Sequence, residues 1–282
     1  MLDAGEVSAW FFGWLARSPT VAFYSHPVFW LSLAAILCAE RWMPARPAQA
    51  VFSKSLFVDA TYVVITHGSA LLIQLGYLGA LRWGYDRWLG SLTVEAAAAW
   101  PFAVAATVGI LFSDFFAWVH HWVRHRVAFF WRFHAVHHAQ RELNAFTDLR
   151  YHPFEYLVTN TITALPMFAF GGTLPGVAAW AVASQCYTKL IHANVRTRLG
   201  PLRHVLVTPQ SHRIHHSVDP EHRDTNYGVV FSVWDRLFGT QHADDDGYPE
   251  TGIGDERFPD EWVPGSNVLR APLGHFLYPF RA

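Results

Sequence analysis

Histidines at helical spacing are the residues of this chain whose types and positions could do chemistry. The chain has 17 histidines in 282 residues, and eight of them fall into three short groups. An HxxxH lies in DFFAWVHHWVRHR, and two HxxHH groups follow in WRFHAVHHAQ and PQSHRIHHS. Residues four apart share one face of a helix, so each group can present at least two imidazoles to the same partner. These candidate metal ligands are His121, His125, His134, His137, His138, His212, His215 and His216.

Metal binding explains these groups better than packing does. A buried imidazole that only fills space needs its own hydrogen-bonding partner, and eight such partners are hard to supply at one place. In the segment WRFHAVHHAQ, His137 is expected to join His134 and His138 around one metal. Eight ligands exceed the needs of a single ion, so we expect two ions with roughly four or five nitrogens each and an open position.

The spacing alone does not name the metal. Imidazole nitrogen suits iron, zinc, copper and nickel, and Cys38 and Cys186 stand far apart without a CxxC spacing that would indicate a thiolate site. A pair of irons would favour oxygen activation, whereas a pair of zinc ions would favour hydroxide and hydrolysis. Both readings stay open at this point.

The composition indicates a protein in contact with lipid. Only 15% of the residues are charged and 52% are hydrophobic, whereas about a quarter are charged in a typical soluble domain. The formal net charge of -1 provides no basic field. Nucleic acid is therefore not an expected partner.

Apolar stretches of membrane-spanning length must position the histidines. Three of them, each close to the ~20 residues that cross a bilayer, cover residues 21–38, 56–78 and 97–119. A fourth, 154–191, is interrupted by Pro166, Gly171, Gly172 and Pro175, which predicts a helical hairpin that enters and leaves on the same side. The predicted fold class is an all-α integral membrane bundle of three crossings plus this hairpin.

The basic residues predict the orientation of the bundle. They cluster in the first loop and after the third crossing, at Arg41, Arg46, Lys54, Arg124, Arg126, Arg132 and Arg141. Such clusters favour the cytoplasmic side. We expect one membrane-embedded domain over 1–282, with membrane helices mainly in 1–120, the hairpin in 154–191, and a cytoplasmic, histidine-rich cap made of 121–153 and 192–282. The first 20 residues predict an amphipathic segment at the membrane surface.

With the three groups in this order, the chain resembles the fatty acid hydroxylase and sterol desaturase superfamily. The resemblance covers roughly Asp114 to Thr240 and includes IHANVR around His192 and the run NYGVVFSVWDRLFGT. It implies two irons, dioxygen, and a fatty acyl, sterol-like or carotenoid substrate that is hydroxylated or desaturated at an unactivated C–H bond. It also implies that His192 is a further ligand. Zinc is expected to compete for the same nitrogens in purified protein.

An external electron donor is expected as well. The chain has no GxGxxG nucleotide fingerprint and no iron–sulfur cysteine pattern, so a separate protein would supply electrons. The substrate, the choice between hydroxylation and desaturation, and the oligomeric state stay open.

Several polar residues near the histidine segments have two possible interpretations each. His152 is either another ligand or a polar contact where the hairpin starts, and His120 and His204 are equally ambiguous. Asp114, seven residues before His121, either bonds a ligand histidine or joins two helices. The same choice applies to Asn226 and Asp235.

Three other functions fit the sequence less well than an oxygenase does. A zinc-dependent intramembrane hydrolase should show HExxH or another glutamate within a group, and none is present. A non-catalytic metal carrier should place polar residues along several crossings, whereas these histidines gather at one end. A bis-histidine haem protein would need a partner for His67 deep in the membrane.

Overall fold

A computed structural model describes residues 26–171, 174, 176–243, 247–259, 261, 267 and 270–281; the side chains of 67, 70–75 and 178 lie outside this description. The predicted all-α class is confirmed for these residues, which contain isolated bridges, such as Leu206 with Phe231, but no strand. The helices are α1 (Pro27–Trp42), α2 (Lys54–Trp88), α3 (Phe102–Arg126), α4 (Ala128–His138), α5 (Pro153–Phe168), α6 (Val177–His192), α7 (Pro209–His215), α8 (Val233–Phe238) and α9 (Ala271–Leu277). Short 3-10 turns lie at Gly90–Leu92, Glu95–Ala99, Thr147–Leu149, Gly200–His204, Pro220–His222 and Tyr278–Phe280.

Helix α3 is the one helix of the described residues that is long and apolar enough to cross a membrane. Its 25 residues begin after Pro101, which caps the helix, so this span starts later than the predicted 97–119 and continues to Arg126. The reason is local: 95–99 form a 3-10 turn instead of a first helical turn. The extension carries His121 and His125 on the same rigid helix.

The other predicted crossings correspond to helices that differ from the prediction. Helix α1 covers 27–38 of the predicted 21–38 and continues to Trp42. Residues 21–25, like the predicted amphipathic segment 1–20, lie outside the described residues. Helix α2 contains 56–78 but runs for 35 residues, about 52 Å at 1.5 Å per residue. The number of crossings and the side of the cap stay predictions.

The predicted hairpin appears as the helix pair α5 and α6. Pro166 lies in the last turn of α5, and Gly171 and Gly176 adopt φ of +82° and +81° in the connection, a conformation that glycine adopts without steric cost. Gly172 and Pro175 are outside the described residues. Because the pair returns, both the start of α5 and the end of α6 lie beside the histidine groups.

Two apolar clusters hold the histidine-bearing helices in place. One joins Phe29 and Leu33 of α1 to Ala193 and Val195, which follow α6. The other joins Val58 and Tyr62 of α2 to residues 135 and 136, between the histidines of α4. Burial of such side chains stabilises the fold by roughly 1.5–3 kcal/mol each, so the two sides of the site are anchored independently of any metal.

Candidate metal centre

Nine predicted histidines meet where four helices end. They lie on the last turns of α3, α4 and α6 and along α7. They form two groups. Inside each group, the nitrogens that could bind a metal all lie within 4.8 Å of one another. The first group consists of His121, His125, His134, His138 and His215. The second group consists of His137, His192, His212 and His216. Each group could hold a metal ion.

Both HxxHH segments divide between the two groups. His134 and His138 enter the first group, whereas His137 turns to the second, so the expectation that all three surround one metal is wrong. The other HxxHH segment divides the opposite way: His215 enters the first group, whereas His212 and His216 enter the second. Neighbouring residues on a helix point about 100° apart. An HxxHH segment between two sites therefore serves both.

The nitrogens of the second group are too close to be satisfied by hydrogen bonds alone. Nε2 of His192 lies 2.8 Å from Nε2 of His212 and 3.1 Å from that of His137, and His212 Nε2 is also 3.2 Å from Nε2 of His216. A neutral imidazole has at most one N–H to share. A cation at the centre of these four nitrogens would satisfy them all.

Orphaned nitrogens in the first group fit a metal as well. Nε2 of His134 and Nε2 of His215 are buried without a hydrogen-bonding partner among the described residues. Nε2 of His125 lies 3.1 Å from that of His138. Buried polar atoms are rarely left unpaired, so the residues present fit a metal ion at both groups.

Hydrogen bonds on the outer side of the rings fix the tautomer of three ligands. Nδ1 of His121 lies 2.8 Å from the carbonyl of Tyr227, Nδ1 of His215 lies 2.7 Å from that of Thr225, and Nδ1 of His192 lies 2.7 Å from that of residue 188. A carbonyl only accepts, so each Nδ1 must donate its hydrogen. The Nε2 lone pair is then free to bind a metal.

Burial keeps the ligand imidazoles neutral. Desolvation, followed by the neighbouring imidazoles, lowers the pKa well below the ordinary histidine value for His134, His137, His138, His212, His215 and His216. A protonated imidazole cannot ligate. These residues are therefore in the metal-binding form at neutral pH.

Glu155 is part of the site, although the histidine pattern does not point to it. Its Oε2 accepts from Nδ1 of His134 at 2.7 Å, and Nη1 of Arg124 lies 3.5 Å away. Its Oε1 accepts from the backbone N–H of His152 at 3.2 Å. The available signal was its place at the third position of a helix that starts with proline, where a glutamate completes a capping box.

The ambiguous histidines lie outside both groups. His152 caps α5: its Nδ1 accepts from the backbone N–H of Phe154 at 3.1 Å and its Nε2 donates to the carbonyl of Phe276 at 3.3 Å. Both ring nitrogens are used, so His152 is the polar contact and not a ligand. His120 is buried on α3, and His204 is exposed on a 3-10 turn. The side chain of His67 is outside the described residues.

Asp114 does not bond a histidine, which corrects one of its two readings. Its Oδ2 accepts from the backbone N–H of Phe231 at 3.2 Å and from Nε1 of Trp234 at 2.9 Å. The physical reason is distance, because seven residues of helix separate it from His121 by about 10 Å along the axis. Asp114 therefore joins α3 to the segment that includes α8.

Comparison with known proteins gives the same family as the residue pattern. The model of the fatty acid hydroxylase family matches residues 106–240, which include all nine histidines. The chain is 28% identical over 251 residues to an ornithine lipid hydroxylase of Rhizobium tropici, covering 86% of this chain and 73% of that protein.

Matches over shorter stretches point the same way. Alkylglycerol monooxygenase of Homo sapiens is 34% identical over 145 residues, which cover 50% of this chain and 31% of that protein. The enzyme of Caenorhabditis elegans is 29% identical over 161 residues, 57% of this chain and 30% of that protein. The chain thus spans less than a third of the length of these two relatives. No solved structure matches it. The family model spans both histidine groups, and together with the similarity to these enzymes it supports the resemblance of this chain to the fatty acid hydroxylase superfamily.

Proposed function

We propose that this protein is a membrane-bound di-iron enzyme that uses dioxygen to hydroxylate or desaturate a lipid at an unactivated C–H bond. The observation that carries the proposal is the division of nine histidines, of which all but His125 are buried, into one group of five and one of four. The relatives support the substrate class, because their names describe an ornithine lipid hydroxylase and alkylglycerol monooxygenases. The active site would face the cytoplasm and receive electrons from a separate protein.

In this proposal each histidine group holds one iron. Bound iron supplies the redox chemistry by which dioxygen attacks an unactivated carbon. The chain itself supplies preorganised Nε2 donors and a site from which water is excluded, since each of the histidines other than His125 is less than one-tenth exposed. A dry site protects a reactive oxidant from side reactions.

The position of the first group supports access from the membrane. His121 and His125 stand at the end of α3, the helix that is apolar enough to span a bilayer. The half-buried ring of Trp131 lies 5.1 Å from His125 and 5.3 Å from His138 by ring centroids. We propose that the lipid chain reaches the first group past this ring.

The hydrolase alternative lacks the group it needs. Among the described residues, both candidate sites consist of histidines alone. Two carboxylates that contact the histidines act on outer nitrogens: Glu155 accepts from Nδ1 of His134, and Asp224 lies 3.7 Å from Nδ1 of His125. Neither is placed to act as a general base on a metal-activated water.

The deciding experiment measures iron and lipid oxidation together. Protein purified in detergent would be loaded with ferrous iron without oxygen, then given a chemical reductant, labelled dioxygen, and membrane lipids that include ornithine lipid and alkylglycerol. We expect about two irons per chain and either label in the product or loss of two hydrogens from it.

Two variants make the result specific. His137→Ala removes one ligand of the second group and should lower both iron content and lipid oxidation. His204→Ala removes an exposed histidine outside both groups and should change neither. Undiminished lipid oxidation by metal-free protein would refute the proposal.

A further inference from the structure

One short backbone segment holds two ligands of the first group. In the segment 225–228, the carbonyl of Thr225 accepts from Nδ1 of His215 and the carbonyl of Tyr227 accepts from Nδ1 of His121. These histidines come from α7 and α3 and are 94 residues apart in the chain. The conformation of four residues therefore sets the ring orientation of two ligands that meet at one site.

Asn226 gives the segment its shape. Its φ is +56°, in the left-handed region that asparagine tolerates better than most residues. Its Nδ2 donates to the carbonyl of Ser211 at 3.0 Å, next to His212, and its Oδ1 accepts from the backbone N–H of His242 at 2.8 Å. The bend between the two carbonyls is thus tied to the third histidine segment.

Asp235 fixes the segment from the other side. This fully buried carboxylate accepts from the backbone N–H of Tyr227 at 2.8 Å and of Gly228 at 2.7 Å. It also accepts from Nε1 of Trp118 at 2.9 Å and from the hydroxyl of Thr240 at 2.7 Å. Trp118 stands three residues before His121 on α3, so Asp235 holds both the helix that carries His121 and the carbonyl that orients it.

Gly228 permits this close approach. A Cβ atom at this position would lie 2.9 Å from Oδ2 of Asp235 and 2.8 Å from a methyl group of Val207. Such distances are shorter than side-chain contacts allow. Glycine is therefore required for the amide to reach the carboxylate.

We propose that Asp235 is a positioning residue for the first histidine group. Asp235 fixes the amides of Tyr227 and Gly228 and thereby holds the segment 225–228 in place. The carbonyls of Thr225 and Tyr227 then keep His215 and His121 directed at the metal position before a metal binds. The inference rests on the proposed function in one respect, because it requires a metal at this group. The carboxylate of Asp235 bonds to none of the candidate ligand histidines itself.

Asp114 provides a matched control. Like Asp235 it is a buried aspartate that connects α3 with the segment around α8, through Phe231 and Trp234. Unlike Asp235 it makes no hydrogen bond to the segment 225–228. If Asp235 only stabilised the contact between these elements, the two aspartates would be equivalent.

The test compares Asp235→Ala with Asp114→Ala by anaerobic titration with cobalt(II), whose visible absorption reports ligand geometry. For Asp235→Ala we expect binding at one of two sites to weaken about tenfold to hundredfold and its absorption to change. Asp114→Ala should keep wild-type affinity and absorption, even where its thermal stability falls. Asp235→Asn is the milder variant, since an amide can accept from only one side.

The outcomes separate this inference from the proposed function. Equal effects of the two alanine variants, or an unchanged absorption in the Asp235 variants, would overturn the positioning role alone. Failure of the wild-type protein to bind cobalt(II) or iron would overturn the proposed function and this role with it.

A measurement on the wild-type protein covers the case in which the variants do not fold. In metal-free protein the amides of Tyr227 and Gly228 should exchange hydrogen slowly, far more slowly than that of Gly254 in an exposed loop, because Asp235 already holds them. Fast exchange without metal, followed by protection on loading, would mean that the metal organises the segment, and the proposal would be wrong.

Discussion

The imidazole of His134 and the carboxylate of Glu155 form a hydrogen bond of 2.7 Å between Nδ1 and Oε2, and both side chains are shielded from solvent. The bond joins α4, which carries the second histidine segment, to the first turn of α5. The same carboxylate caps α5 through the backbone N–H of His152. One residue thus connects the start of the hairpin to the orientation of a candidate ligand.

Replacement of this carboxylate should weaken metal binding. In Glu155→Gln the single amide oxygen can accept from His134 or from the His152 amide, and Arg124 loses its nearby negative charge. We expect roughly tenfold to hundredfold lower metal affinity, measured by competition with a chelator. Glu250→Gln, which changes an exposed glutamate paired with Arg46, is the control. Equal affinities of the two variants would contradict the role of Glu155.

The division of the second histidine segment predicts different results for two double variants. His134→Ala with His138→Ala removes two ligands of the first group and leaves the second group complete. His137→Ala with His138→Ala removes the same number of histidines but one from each group. The first variant should retain about one tightly bound iron per chain and the second should bind both weakly. Identical metal content and affinity in the two would argue against separate sites.

Arg150 is expected to be the most sensitive residue of a buried charge cluster. Its guanidinium bonds Oδ1 of Asp59 and both carboxylate oxygens of Glu261, and Gln140 and Asn144 bond the other oxygen of Asp59. The cluster therefore anchors the chain that leaves the second histidine segment.

Arg150→Met would remove the guanidinium that bonds the two buried carboxylates of Asp59 and Glu261. Loss of one partner of a buried ion pair costs about 3–5 kcal/mol, so the thermal midpoint in detergent should fall sharply. Arg257→Met breaks an exposed pair with Asp255 and should have little effect. Similar midpoints for the two variants would refute the prediction.

Gly109 should mark the closest approach of α3 to the second arm of the hairpin. A Cβ atom there would lie 2.8 Å from a methyl group of Val177 and 3.0 Å from Cβ of Leu174, and small residues allow such approaches between membrane helices. Gly109→Ala should destabilise the protein by roughly 1–3 kcal/mol through overpacking, measured as thermal midpoint. Gly79→Ala, with open space around it, should be neutral or slightly stabilising, because alanine favours helix. A neutral Gly109→Ala would show that the helices can separate without cost.

The helical class and eight of the nine histidines that meet could be predicted from patterns in the sequence. Spacing of four places two imidazoles on one helix face whatever the rest of the chain does, so His121 with His125 and His212 with His216 were predictable as pairs. His192 came from the resemblance to the family, because a lone histidine at a helix end has no spacing signal.

The division of the histidines between the two groups, and the contacts that hold them there, depend on the packing of the helices. A helix fixes the relative directions of His137 and His138, but which of two sites each one faces depends on how four helices cross, and that depends on packing between residues far apart in the chain. The supporting groups are equally non-local. Backbone carbonyls, such as those of Thr225 and Tyr227, exist at every residue and leave no mark in the sequence, and Asp114 and Asp235 look alike until the fold shows which one reaches the segment beside the ligands.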